Sequence, residues 1–276
     1  MPDPGVWSAV REAGPAADGL VLAADFPVTG RNEGGFAELA PALPPGVELW
    51  QTVAPQRAPG STEDPADYLA PWLDEVRQSG REVRAVLGYC AGSVFAGALA
   101  TELARRQRPP RVVVFDPELV DVPTVHLQFG RVIGNMTSVL DERETAQLAR
   151  TAQELADRPG IGPGEFAAEL FAAFRPVGTA GLTRAGMGAD YAEELIALVG
   201  SFLAYLEIAA RLDPRPGWAG ATVITSASPG SGLNRMRTTP GVAPIEIAAE
   251  SRFDVEHRDL LRTPEIAALA ARLLES

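Results

Sequence analysis

Lysine is missing from all 276 residues; besides two histidines, every basic side chain is an arginine. No side-chain amine is therefore present to form a Schiff base, act as a catalytic base or complete a phosphate loop. Cysteine occurs once, as Cys90, which excludes an internal disulfide and fits a reducing cytoplasm. Histidine is limited to His126 and His257, and neither a metal centre nor a bound cofactor is expected. No run of eighteen apolar residues is present, so no membrane span is expected. The segment from Met1 to Trp7 lacks a basic start and a long apolar stretch, so it is not read as a signal peptide. Positive charge is scarce: 24 arginines face 36 acidic residues, a net charge of −12, which argues against a nucleic-acid partner.

What the chain does have is a short apolar run, Val83-Arg84-Ala85-Val86-Leu87-Gly88, followed by Tyr89-Cys90-Ala91-Gly92-Ser93 and an Ala/Leu-rich segment to Arg106. The first part reads as a buried strand and the last as a helix. Between them stands Gly88-x-Cys90-x-Gly92. A strand turned sharply into a helix at such a motif is the nucleophile elbow of α/β-hydrolases, usually written G-x-S-x-G. The reactive atom then stands at a helix N-terminus, where free N–H groups favour negative charge. Taken alone the motif is weak, because a lone cysteine is commonly a small buried hydrophobe.

The flanking chain supplies context. Residues 1–18 read as a loose lead-in with a short helix near Val6–Arg11. Leu20–Ala24 reads as a strand, running into Asp25-Phe26-Pro27-Val28-Thr29-Gly30 and then a helix from Phe36. Strands are expected at Val47–Val53 and Arg111–Phe115, with a helix between an Asp64 cap and Gly80. This alternation predicts a parallel sheet with helices on both faces. From 121 to 215 helical segments take over, roughly Glu142–Asp157, Gly164–Phe174 and Tyr191–Leu212, and read as a lid inserted between core strands of one domain spanning 1–276. Strands resume at Ala221–Ser226 and at Pro244–Ala249, and a last helix starts at Thr263-Pro264.

A thiol nucleophile needs a base and the base an orienting acid. In this fold the histidine comes last in the chain, which selects His257 and leaves His126 a structural or lid residue. The loop after the post-lid strand, Ala227–Gly232, holds no carboxylate. The strand before the lid ends in Asp116, which is therefore the expected acid, with Glu118 and Asp121 as fallbacks. An imidazolium paired with Asp116 would hold Cys90 partly as thiolate. The oxyanion donors would be the N–H of Ala91 and one from Val28 or Thr29.

With these residues in view, the chain resembles the thioesterase domains of polyketide and nonribosomal peptide synthesis. Phe26-Pro27-Val28-Thr29-Gly30 with Phe36, Leu43 to Trp50, the elbow with Leu99 to Leu103, and Asp254-Val255-Glu256-His257 carry the likeness, and Asp116 stands 26 positions after Cys90. The resemblance implies a phosphopantetheine thioester substrate, delivered in trans by an acyl or peptidyl carrier protein or as acyl-CoA, and a small-molecule acyl acceptor. It implies hydrolysis, acyl transfer or cyclising release. Cysteine departs from the usual serine. Acyl transfer from pantetheine to sulfur is nearly isoenergetic, so the acyl-enzyme stays activated and suits amines or hydroxyls at least as well as water. Dienelactone hydrolases and polyhydroxyalkanoate synthases also use G-x-C-x-G, with the acid expected after the post-lid strand. A non-catalytic acyl-binding module is the third reading. Arg105, Arg106, Arg108 and Arg111 cluster beyond the elbow helix and read as a solvated helix end or a carrier contact.

Overall fold

The computed structural model describes residues 5–12, 19–27 and 32–275. Among the described residues seven strands form one sheet in the order β1-β3-β2-β4-β5-β6-β7. They are β1 (Trp7–Arg11), β2 (Gly19–Ala24), β3 (Val47–Thr52), β4 (Val83–Tyr89), β5 (Arg111–Phe115), β6 (Thr222–Thr225) and β7 (Ala249–Arg252). Only β1 runs antiparallel, against β3; the other pairings are parallel. Apart from Arg84 and Arg111 near their starts, the central strands are apolar because helices cover both faces.

The helices are α1 (Phe36–Leu39), α2 (Pro65–Ser79), α3 (Gly92–Leu103), α4 (Val122–Asn135), α5 (Glu142–Ala156), α6 (Pro163–Arg184), α7 (Ala189–Arg211), α8 (Arg215–Trp218), α9 (Gly232–Thr238) and α10 (Pro264–Glu275). Asp64 caps α2 by accepting from Ala66 N, Pro65 occupies its first turn, and left-handed Gly80 ends it. None of the helices is long and apolar enough to cross a membrane, among the described residues.

Three expectations need correction. The segment near Val6–Arg11 is a strand, not a helix. Val6 and Val10 suit helical spacing, but Val6 O accepts from Val53 N at 2.8 Å and Trp7 Nε1 donates to Trp72 O at 3.0 Å, so pairing with β3 decides the outcome. The last strand is Ala249–Arg252 rather than Pro244–Ala249. Its short polar sequence suits a sheet edge, where Glu250 draws in Arg237 and Arg252. The helical segment of 121–215 is also more extensive than expected: α4 is an additional helix, and α6 continues through Pro176 to Arg184.

The inserted helices are anchored on the core. Residues Val199 to Ala209 of α7 are all buried. Tyr205 packs on Phe95 of α3 with ring centroids 4.2 Å apart, and Phe26 meets Phe202 and Tyr205 at 5.2 and 5.3 Å. Glu207, also buried, accepts from Gly60 N at 2.6 Å and ties α7 to the loop after β3.

Candidate active site

Close backbone packing makes the elbow. Cys90 leaves β4 with φ 51°, in the left-handed region that L-residues other than glycine rarely adopt. A Cβ on Gly92 would stand 2.2 Å from Ala24 O, and one on Gly88 would stand 2.6 Å from Ser93 Cα. Only hydrogen fits at either place, which is the physical content of the two glycines in the motif. The turn puts Cys90 at the start of α3, with Ala91 as its cap.

Sheet register brings the partners to the same edge. Beyond the paired residues Tyr89 and Phe115, the ladder continues as Cys90 N donates to Phe115 O at 2.9 Å. Asp116 N donates to Ile224 O at 2.9 Å, and Ala227 N donates to Val255 O at 2.9 Å. The C-terminal ends of β4, β5, β6 and β7 therefore lie side by side, where open parallel sheets place their ligand crevices. His257 follows two residues after this last bond.

Asp116 is fully buried, with φ 42°. Its Oδ2 lies 2.7 Å from His257 Nδ1 and accepts from Ser226 Oγ at 2.5 Å; its Oδ1 accepts from Ser226 N at 2.9 Å. Gly232, also left-handed, presses on this turn so closely that a Cβ would stand 2.7 Å from Asp116 Cα. The His257 ring stacks on Tyr89 with centroids 4.9 Å apart, and Tyr89 Oη donates to His257 O at 3.1 Å. The imidazole is thus held on one face and at one nitrogen, which orients the other nitrogen.

Cys90 has different company from that expected. Its Sγ donates to Glu118 Oε2 at 3.5 Å and accepts from Gln128 Nε2 at 3.7 Å. Burial and then the Glu118 charge push the thiol well above its ordinary range, while Arg131 and the Ala91 N–H act in the opposite direction. The expected resting thiolate meets an opposing environment here: an enclosed sulfur beside a carboxyl group favours the protonated thiol. Asp121 does not face the sulfur. It caps α4 by accepting from Thr124 N at 2.8 Å and pairs with Arg235 at 3.1 Å. His126 sits on α4 against the Phe166 ring, centroids 6.2 Å apart, outside the cluster.

A cavity of about 60 Å³ opens beside the sulfur, lined by Phe26, Val132, Phe202 and Leu206, with Asp25, Glu33, Gln128, Arg131, Asn135 and His257 among its polar members. A wider groove of about 700 Å³ runs past His257 and shares Glu33, Arg131 and Asn135 with it. Ala91 lines the cavity beside Cys90. Val28 and Thr29 lie outside the described residues. Gln128 and Arg131 escaped the sequence reading because α4 did. Its signal was present in the Asp121 cap, Pro123 in the first turn, and apolar Val122, Val125, Phe129, Val132 and Ile133 at helical spacing. Tyr89 and Ser226 left no such signal. Among the described residues, no group of three or more His, Cys, Asp or Glu side chains is placed to hold a metal ion.

No family model matches the sequence, and no curated protein sequence matches it. Solved structures do. The four-domain nonribosomal peptide synthetase AB3403 aligns over 99% of this chain with a TM-score of 0.53 and 14% identity, and this chain spans 20% of its length. The NocB thioesterase domain from the nocardicin cluster aligns over 98% of this chain and 99% of its own, with a TM-score of 0.52 and 15% identity. RedJ, with a polyethylene glycol molecule in its active site, aligns over 96% and 95% with a TM-score of 0.50 and 16% identity. At such identities the likeness is one of architecture: this chain has the α/β-hydrolase fold, built on the same plan as these structures.

Proposed function

We propose that this chain is a thioesterase-like acyl-transfer enzyme of secondary-metabolite biosynthesis, using Cys90 as nucleophile, His257 as base and Asp116 as orienting acid. The observation that carries this reading is the junction of a left-handed cysteine at a helix start with a buried Asp116–His257 pair on the same sheet edge. In the first half-reaction His257 takes the Sγ proton as sulfur bonds to the acyl carbon. The pantetheine C–S bond then breaks, and the proton returns to the leaving thiolate. The oxyanion is stabilised by the Ala91 N–H and a second donor from Val28 or Thr29. In the second half-reaction His257 activates water, an amine or a hydroxyl, and that acceptor takes the acyl group as Cys90 recovers its proton.

The substrate is an acyl or peptidyl thioester of a carrier protein or of CoA, met in the cytoplasm, and no cofactor of the enzyme's own takes part. The mainly apolar cavity fits an acyl chain, with α4 to α7 of residues 121–215 acting as the lid that shapes it within one 1–276 unit. Because the acyl-enzyme is itself a thioester, transfer to an amine or hydroxyl is favoured alongside hydrolysis. The Asp116 position, ahead of the inserted helices, separates this reading from a dienelactone-hydrolase-like one.

The test is incubation with acyl thioesters of N-acetylcysteamine. The expected result is free thiol release, a mass increase of one acyl group on Cys90, and amide in place of free acid when an amine is added. No thiol release above background and no adduct would leave a non-catalytic binding module. Free acid alone, with amine present, would remove the transfer activity and leave a hydrolase.

A further inference from the structure

Glu118 is a buried acid that the proposed triad does not use. It is 2% exposed. Its Oε2 receives the Cys90 thiol, and its Oε1 lies 2.5 Å from Arg235 Nε in an ion pair made off the ideal hydrogen-bond axis. Arg235 is fixed in turn by Asp121 Oδ1 at 3.1 Å, Leu119 O at 3.2 Å and Thr124 Oγ1 at 2.7 Å. The carboxylate is therefore clamped where it meets the sulfur. Among the described residues no hydrogen bond joins Cys90 Sγ to His257, whose Nδ1 is held by Asp116.

We propose that Glu118 is a positioning residue that parks the Cys90 thiol, proton attached, away from His257 until a thioester fills the cavity. This inference rests on the reading of Cys90 as nucleophile only for its purpose. The other charged or titratable groups around the sulfur are Asp25 at the end of β2, Glu33 ahead of α1, Arg131 on α4, Tyr89, Tyr205 and His257. Of these, Arg131 favours the thiolate, and Glu118 is the acid that touches the sulfur. A neutral thiol reacts slowly with alkylating and oxidising agents, so the empty enzyme keeps its nucleophile protected. On substrate entry the sulfur turns from Oε2 toward His257, which takes the proton as the S–C bond forms; burial pushes the Glu118 carboxyl up, and Arg235, which stays paired with it, acts in the opposite direction.

Because Cys90 is the sole cysteine, 13Cβ-labelled cysteine gives a single resonance whose pH titration reads this thiol directly. The wild-type thiol should titrate above its ordinary range. In Glu118→Gln the midpoint should fall by at least one unit, a roughly tenfold larger thiolate fraction at pH 7. Iodoacetamide alkylation should rise only about threefold, since nucleophilicity falls with thiol pKa. His257→Ala should move the midpoint less than Glu118→Gln does. A wild-type thiol titrating at or below its ordinary range, which needs no variant to fold, overturns the proposal. So does an unshifted Glu118→Gln, or a larger shift in His257→Ala. Acyl-adduct formation is read separately: adducts with an unshifted Glu118→Gln remove the tether alone, and the expected titration without adducts removes the enzymatic function alone.

Discussion

Replacing Asp116 by asparagine is the most incisive perturbation of the site. The backbone there has φ 42°, and asparagine, like aspartate, tolerates the left-handed region better than most residues with a Cβ, so no new backbone strain is added. The change is confined to one oxygen becoming an NH2 group. If that group faces His257 and Ser226 Oγ, now 2.7 and 2.5 Å from Oδ2, it donates to a ring nitrogen that must then be an acceptor. The proton moves to the other ring nitrogen, which can no longer take the thiol proton. If the amide turns the other way, its NH2 faces the Ser226 N–H, 2.9 Å from Oδ1, donor against donor in a fully buried place. That costs about 1–3 kcal/mol. The first orientation avoids that clash, because Oδ1 still accepts from Ser226 N, so it prevails and the base is lost. The expected effect is a fall of about 10³–10⁴ in kcat/KM for thioester cleavage, about 4–5.5 kcal/mol of barrier. Stability should fall by less than the roughly 1–3 kcal/mol of the donor clash. Thiol release from an acyl thioester gives the first quantity and urea unfolding the second. A folded Asp116→Asn enzyme keeping more than a tenth of wild-type kcat/KM would refute the assignment of Asp116 as orienting acid.

Other outcomes follow from the same geometry. Gly92→Ala places a methyl 2.2 Å from Ala24 O, a backbone atom that cannot swing aside; it should cost about 2–3 kcal/mol or more in urea unfolding, and an unchanged midpoint would contradict the tight elbow. Trp218→Ala empties a fully buried site and removes the Nε1 bond to Ser93 O at 2.8 Å, so a loss of about 3–5 kcal/mol is expected from the same measurement. Cys90→Ser should form an oxyester with the acyl group, and the amide-to-acid product ratio should fall; an unchanged ratio would remove any special role for sulfur. For Glu250, burial pushes the carboxyl up, but hydrogen bonds from Arg237, Arg252 and Thr225 outweigh it and hold the group down to about 2. A depressed carboxyl stabilises the fold above the unfolded value near 4.5, and that contribution is lost as pH falls through about 2. Glu250→Gln should therefore destabilise by under about 1 kcal/mol at neutral pH, with the difference closing between those limits.

Much of this protein was legible without coordinates because its signals are local. Apolar runs marked β2, β4 and β5; the Asp64 cap with Pro65 and Gly80 bounded α2; and glycines at 88 and 92 announced a tight strand-to-helix turn. Chain order selected His257, and an acid-free loop after β6 selected Asp116, which the fold brings within 2.7 Å of it. What the tertiary structure decided involves surroundings that lie far apart in the chain. Trp7–Arg11 became a strand because β3 was there to pair with it. The polar segment Ala249–Arg252 became an edge strand through register with β6. Burial, and after it a carboxyl group 28 positions later that pairs with an arginine from α9, pushes the Cys90 thiol up. Local propensity and periodicity belong to the residues themselves, whereas burial, register and charge proximity exist only once distant segments pack together.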